Sequence, residues 1–235
     1  MEYIHNTEQF QFHNTVVALG KFDGMHKGHQ LIFDELIQYK QLGYQAAVFS
    51  FDRPPLNMLK HKHMRVIYTT NEKIKLLARR GIDIYIEHPF TDEFSHLSPE
   101  DFVIKVLLEK TGMKVLVVGD DCGFGYKRQG NVELLERMSK EYDFKLIVIP
   151  KLELEGEIVS STRIRHLLSE GKVEEANRLM EDPFMICGSV VHGNHMGAEV
   201  LQMPTANQIP LEDKLLPPNG VYVSRIHYKD ETYYG

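Results

Sequence analysis

Cysteine is nearly absent: Cys122 and Cys187 stand far apart in 235 residues, in no C-x-x-C or Cys/His spacing, which argues against a disulfide framework or a zinc site. No apolar run approaches the ~18 residues of a membrane span. Residues 1–10 lack a basic stretch followed by an apolar core, so the expectation is a cytoplasmic protein with no membrane partner. A net charge of -6 gives no general surface for nucleic acid. No heptad or internal repeat recommends a structural or interaction protein. What is present is 43% hydrophobic and 10% aromatic residues, enough for a packed core in one large or two small domains. The 12 histidines are mostly scattered, and His61 and His63, flanking Lys62, read as solvated side chains in a basic loop.

Over the first 180 or so residues, short β-branched or apolar runs alternate with longer helical patterns, the signature of a parallel α/β sheet. Strands are expected at 15–19, 46–51, 82–86, 114–118 and 145–149, and helices at 30–41, 71–80, 99–110 and 131–142. The expected fold is a Rossmann-like, doubly wound domain over 1–183, with ligands beyond the carboxyl ends of its strands.

Between the first expected strand and helix lies Gly20-Lys21-Phe22-Asp23-Gly24-Met25-His26-Lys27-Gly28-His29. A strand, tight turn and helix start of this kind aims unpaired backbone N–H groups and the positive end of a helix dipole at one point, a site for phosphate. His26 and His29, three residues apart, can both face that phosphate. Gly24 and Gly28 permit close backbone approach, and Asp23 can hold a histidine tautomer or a metal. Each residue singly is also compatible with a glycine turn beside a surface histidine.

A second cluster, Ser160-Ser161-Thr162-Arg163-Ile164-Arg165, opens a helical run. Three hydroxyls can cap that helix and offer donors to anions, while the arginines add positive charge. A serine cap followed by surface arginines is the plainer alternative.

The first motif resembles that of the HxGH nucleotidylyltransferases, and its fuller form G-x-F-D-G-x-H-x-G-H is similar to that of the bacterial FAD synthetases, bifunctional riboflavin kinases and FMN adenylyltransferases. The second matches that family's S-S-T-x-I-R. The resemblance implies ATP contacts at Gly20, Phe22, Asp23, Gly24, Gly28, Ser160, Ser161 and Thr162, and catalytic roles for His26, His29 and Arg165. Two further stretches resemble the family's flavin-site segments. Asp121, Phe124, Gly125 and Gly130 match a G-x-D-F-x-F-G loop in which Cys122 replaces the usual phenylalanine. Phe51, Asp52 and Pro55 match F-x-P-H-P, with Arg53 and Pro54 as departures. Flavin contacts are therefore expected at Phe51, Pro55, Asp121 and Phe124.

Near 180–184 the helical text gives way to strand-like text, and 184–235 resembles the start of the family's riboflavin kinase barrel. About fifty residues of barrel would leave open edges and little core, so an incomplete antiparallel β-barrel is expected, with riboflavin phosphorylation absent because the family's catalytic glutamate lies further along. Within Pro204-Thr205-Ala206-Asn207 the resemblance makes Thr205 and Asn207 the magnesium and nucleotide contacts, although an ordinary turn would look the same.

The expected reaction is transfer of AMP from ATP to FMN, giving FAD and pyrophosphate, with Mg2+ bridging phosphates and no protein nucleophile. Two alternatives stand beside it: a different phosphorylated acceptor, such as phosphopantetheine or nicotinamide mononucleotide, and a diverged flavin-binding regulator without catalysis. Oligomeric state is not legible.

Overall fold

The computed structural model describes residues 1–52, 65–191, 207–229 and 231–235. Six parallel strands form one sheet: β1 (Glu2–His5), β2 (Thr15–Leu19), β3 (Gln45–Phe51), β4 (Ile84–His88), β5 (Met113–Gly119) and β6 (Lys145–Ile149), in the order β1-β4-β3-β2-β5-β6. The chain works outward from β2 through β3 and β4 to one side and through β5 and β6 to the other. That places the topological switch point between β2 and β5, where crevices form in such sheets.

β2 is buried at every position, as expected of a central strand covered on both faces. Its side chains alternate between two cores. Val16 and Ala18 join Ala46, Val48, Val115 and Val117 under α1 (Lys27–Gln41), α2 (Thr70–Arg80), α5 (Ser161–Ser169) and α6 (Val173–Leu179). Val17 and Leu19 join Phe49, Leu116 and Val118 beneath α3 (Pro99–Asp101, continuing as the π-helical segment Phe102–Leu108) and α4 (Val132–Glu141). The sheet is thus doubly wound, as its alternating sequence suggested.

Three local differences have physical causes. The third predicted strand begins at Ile84 rather than residue 82 because Gly81, in the left-handed region, ends α2. The Gly81 amide donates to the Ala78 carbonyl at 3.0 Å and the Ile82 amide to that of Leu77 at 3.1 Å, so Ile82 closes the helix end instead of starting the strand. The 99–110 helix widens to i→i+5 bonding, with the Glu109 amide reaching the Ile104 carbonyl at 3.0 Å. In that form Phe102, Val103, Val106 and Leu107 are all buried. β1 escaped the sequence reading because four mixed residues on a sheet edge carry no clean alternation.

After the short antiparallel pair β7 (Glu153–Leu154) and β8 (Glu157–Ile158), β9 (Gly188–Val191) of the C-terminal region pairs antiparallel with β10 (Asn207–Pro210), and β11 (Arg225–Tyr228) with β12 (Glu231–Tyr234). Among the described residues these remain separate two-stranded sheets, so the expected barrel is seen only as hairpins. The second of these hairpins starts at Arg225, since Tyr228 opposite Glu231 and Lys229 at φ 54° set its register.

Candidate active site

At the carboxyl end of β2 the backbone makes a strained turn. Phe22 (φ 49°), Gly24 (φ 85°) and Met25 (φ 36°) all occupy the left-handed region, which for non-glycine residues costs roughly 1–2 kcal/mol each. Burial of the Phe22 and Met25 side chains, 2% and 5% exposed, holds them there. At Gly24 a Cβ would lie 3.0 Å from Ile67 Cδ1, and at Gly28 one would lie 3.2 Å from His26 Nδ1. Gly20 follows β2 directly, its amide bonded to the Phe49 carbonyl at 3.1 Å.

His26 caps the start of α1 through its backbone, and its ring stacks on that of His29 with centroids 3.6 Å apart. The Nδ1 atoms of both rings are buried without a partner. Unsatisfied buried polar atoms are costly and mark positions where a ligand or a proton has a role. Phe22, expected among the ATP contacts, instead turns its ring into the core, edge-on to His29 at 5.2 Å and against Phe33 at 5.1 Å. It acts on the site by fixing that imidazole.

Asp23 ties this turn to the second motif. Its Oδ1 accepts from the amides of Ile67 (2.9 Å) and Tyr68 (3.2 Å), its Oδ2 pairs with the Arg165 guanidinium, and its carbonyl accepts from the Ser161 hydroxyl. Arg165 also donates to the Arg65 carbonyl. Ser160 caps α5 as predicted, its Oγ accepting from the Arg163 amide at 3.3 Å. Thr162 is exposed at the helix start. The second motif, 131 or more residues from the imidazoles in sequence, is therefore bonded through Asp23 to the turn that leads into them.

Burial pushes the His26 pKa down to about 4, against a partial counterpull from Asp121, and burial together with His26 pushes His29 well below the ordinary imidazole value. Both rings are neutral at pH 7. Lys21, on the same turn, lies near two arginines: desolvation and the neighbouring Arg128 lower its pKa, with Asp23 opposing and Arg165 adding to the effect. Sequence reasoning missed Lys21 and Arg128, which stand isolated in the chain and meet only in the fold.

The buried imidazoles make stability pH-dependent. A histidine whose folded pKa lies below its unfolded value contributes stability above the unfolded value, near 6.5, and loses it as pH falls toward the folded one, near 4. Denaturant titrations at pH 7.5 and 4.5 are expected to differ by roughly 2–3 kcal/mol from His26 alone. In His26→Gln that difference should shrink correspondingly.

The loop after β5 reaches the same crevice. Asp121 is exposed, lies close enough to His26 to affect its titration, and pairs with Lys151 at 3.2 Å. Phe124, expected at the flavin, is 6% exposed. It bridges to Gly130 in both backbone directions and packs on Phe102 at 5.8 Å, supporting the loop from below. Cys122 is a neutral thiol whose pKa burial raises to about 11. Phe51, at the end of β3, meets Phe90 at 5.4 Å and Phe94 at 5.8 Å. These two aromatics were not singled out in the sequence because no periodicity links them to Phe51.

Pro55, with Arg53, Pro54, His61 and His63, lies outside the described residues, as does Thr205. Asn207 opens β10 opposite Val191 and is exposed. Among the described residues no three His, Cys, Asp or Glu side chains cluster as a metal cage.

A family model for FAD synthetase matches residues 8–163, and one for riboflavin kinase matches 180–235. Proteins named bifunctional riboflavin kinase/FMN adenylyltransferase are similar along nearly the whole chain. The one from Buchnera aphidicola of Schizaphis graminum is 38% identical over 226 residues, covering 95% of this chain and 72% of its own length. That of Listeria monocytogenes is 35% identical, covering 99% and 75%, and that of Escherichia coli K12 is 32% identical, covering 95% and 71%. A crystal structure from Streptococcus pneumoniae, described as a macrolide-efflux protein, superposes with a TM-score of 0.86 at 30% identity, covering 99% of this chain and 76% of that one. Among the described residues no helix is long and apolar enough to cross a membrane. With two family models laid end to end over this fold and these motifs, the chain belongs to the FAD synthetase family of bifunctional riboflavin kinase/FMN adenylyltransferases.

Proposed function

We propose that the crevice between β2 and β5 transfers an adenylyl group from ATP to FMN. The observation that carries this reading is the junction at Asp23, which bonds the α5 hydroxyl-guanidinium cluster to the same turn that leads into the two stacked imidazoles. An FMN phosphate oxygen attacks the α-phosphorus of ATP. The new P–O bond forms as the bond to the β-phosphate oxygen breaks, and pyrophosphate leaves with the electron pair. The phosphate nucleophile is anionic at neutral pH, so the protein's part is positioning and charge neutralisation.

His26, His29 and the first amides of α1 hold the α-phosphate. Ser160, Ser161, Thr162 and Arg165 take the β- and γ-phosphates, and Lys21 and Arg128 add the positive charge that the neutral imidazoles do not supply. Arg165 meets the phosphates while its pairing with Asp23 fixes the direction of the guanidinium. Phe51, Phe90 and Phe94 offer an aromatic wall for the isoalloxazine, and Asp121 borders the phosphates. Asp121 would hold Mg2+ together with the substrate phosphates, as hard cations take oxygen ligands, and the ion would supply neutralisation of the triphosphate.

On this reading the chain is a cytoplasmic biosynthetic enzyme with a domain boundary after Pro183, and residues 184–235 contribute strands of a riboflavin-kinase-like barrel in which Thr205 and Asn207 would hold magnesium. Incubation with FMN, ATP and magnesium should yield FAD and pyrophosphate in equal amounts. Nicotinamide mononucleotide and phosphopantetheine should give no adduct. Pyrophosphate release with either of those acceptors, and none with FMN, would move the reading to another nucleotidylyltransferase.

A further inference from the structure

Behind the phosphate turn lies an ion pair that the chemistry above does not use. Lys214, in the region matched by the riboflavin kinase model, inserts a side chain with no exposed surface into the adenylyltransferase domain. Its Nζ donates to Glu72 Oε2 and to the Ile67 carbonyl, each at 2.6 Å, and lies 5.0 Å from the Tyr68 ring and 4.5 Å from that of Phe184. The backbone follows the same path. The Val66 amide donates to the Asp213 carbonyl at 2.7 Å, and the Leu215 amide to the Val66 carbonyl at 2.8 Å.

Glu72 is fully occupied. Oε2 also accepts from the Thr69 amide at 2.8 Å, closing a capping box at the start of α2, and Oε1 accepts from the Cys187 amide at 2.7 Å. The segment 66–69 is therefore gripped from behind by Lys214 and Glu72. From its front, the Ile67 and Tyr68 amides hold the Asp23 carboxylate.

We propose that Lys214 is a positioning residue for adenylyl transfer: from the kinase-matched region it clamps the 66–69 segment, and that segment, through Asp23, sets the orientation of the phosphate turn and of Arg165. The inference rests on the adenylyl-transfer reading of that turn. Lys214 touches no reacting group and acts through two intervening contacts. A lone buried lysine also serves stability, so the test must separate the two roles.

The variants are Lys214→Met, Lys214→Arg and the double Glu72→Gln with Lys214→Met, in which glutamine preserves the capping box while both charges go. The readouts are kcat and KM for FAD formation, thermal melting, and the imidazole NMR signals of His26 and His29 with inorganic pyrophosphate as the probe. The folded double variant is expected to lose about tenfold or more in kcat with little change in KM for FMN, and to shift both imidazole signals. Lys214→Arg, which keeps the charge, should recover part of the rate.

Wild-type kcat and unshifted imidazole signals in a folded variant would overturn the inference while leaving adenylyl transfer intact. Failure of both methionine-containing variants to fold would overturn it too, since Lys214 would then serve the fold alone. If wild-type protein made no FAD, the reading of the reaction would fall. The imidazole shifts would still report whether Lys214 governs the turn.

Discussion

Replacing His29 with alanine is expected to lower kcat for FAD formation by about 10²–10³, equivalent to roughly 3–4 kcal/mol of lost transition-state stabilisation. The ring lies against His26 at 3.6 Å and edge-on to Phe22, with Nδ1 buried and unpartnered. On the proposed reaction, alanine removes an N–H donor to the charge that develops on the α-phosphate. The fold should tolerate the change, because an orphaned polar atom leaves along with the ring's packing. FMN affinity should move little, since the aromatic wall of Phe51, Phe90 and Phe94 stands at the end of β3 and beyond. Steady-state rates followed by flavin fluorescence, beside FMN titration, check both halves. Turnover within a few-fold of wild type would remove the histidine pair from the phosphate site.

Asp23→Ala is expected to damage structure and rate together. Its carboxylate accepts from two backbone amides and pairs with Arg165, while its side chain is 17% exposed. Truncation strands the amides of Ile67 and Tyr68 and frees the guanidinium. Breaking so enclosed a charged pair costs about 3–5 kcal/mol, discounted somewhat here for the remaining solvent contact. Asp23→Asn separates the effects. Its amide oxygen can still accept from both backbone donors, so much of the stability should return, but it cannot form the ion pair that orients Arg165. A rate deficit of about 10² should therefore persist, the scale of loss that follows when a catalytic group is misplaced by about 1 Å. Chemical denaturation and kcat measured on the same preparations decide it: recovery of both in Asp23→Asn would show that the Arg165 pairing is irrelevant to turnover.

The parts of the site written contiguously were legible in the sequence. Gly20 to His29 and Ser160 to Arg165 each put their chemistry within ten residues, and the burial of β2 on both faces follows from five consecutive residues. The hub itself was not legible. Asp23 is held by the backbone amides of Ile67 and Tyr68, and a backbone donor has no letter of its own. Lys21, Arg128 and Lys214 each look like ordinary solvated lysines or arginines, and only the pairing of β2 beside β5 or the path of residues 213–215 gives them a role. Phe22 and Phe124 were assigned to ligands because motif membership does not tell which way a ring points. Both rings enter the core, where their large apolar area is better placed.

The switch point has a consequence for how such enzymes can diversify. Because the chain leaves β2 and β5 in opposite directions, the loops on the two sides of the crevice hang from separate stretches of polypeptide that share only a seam of strand ends. Remodelling the loop beyond Gly119 can therefore proceed while the turn after β2 and the start of α5, bonded to each other through Asp23, stay as they are. Specificity can drift on one bank of the seam without eroding the chemistry on the other.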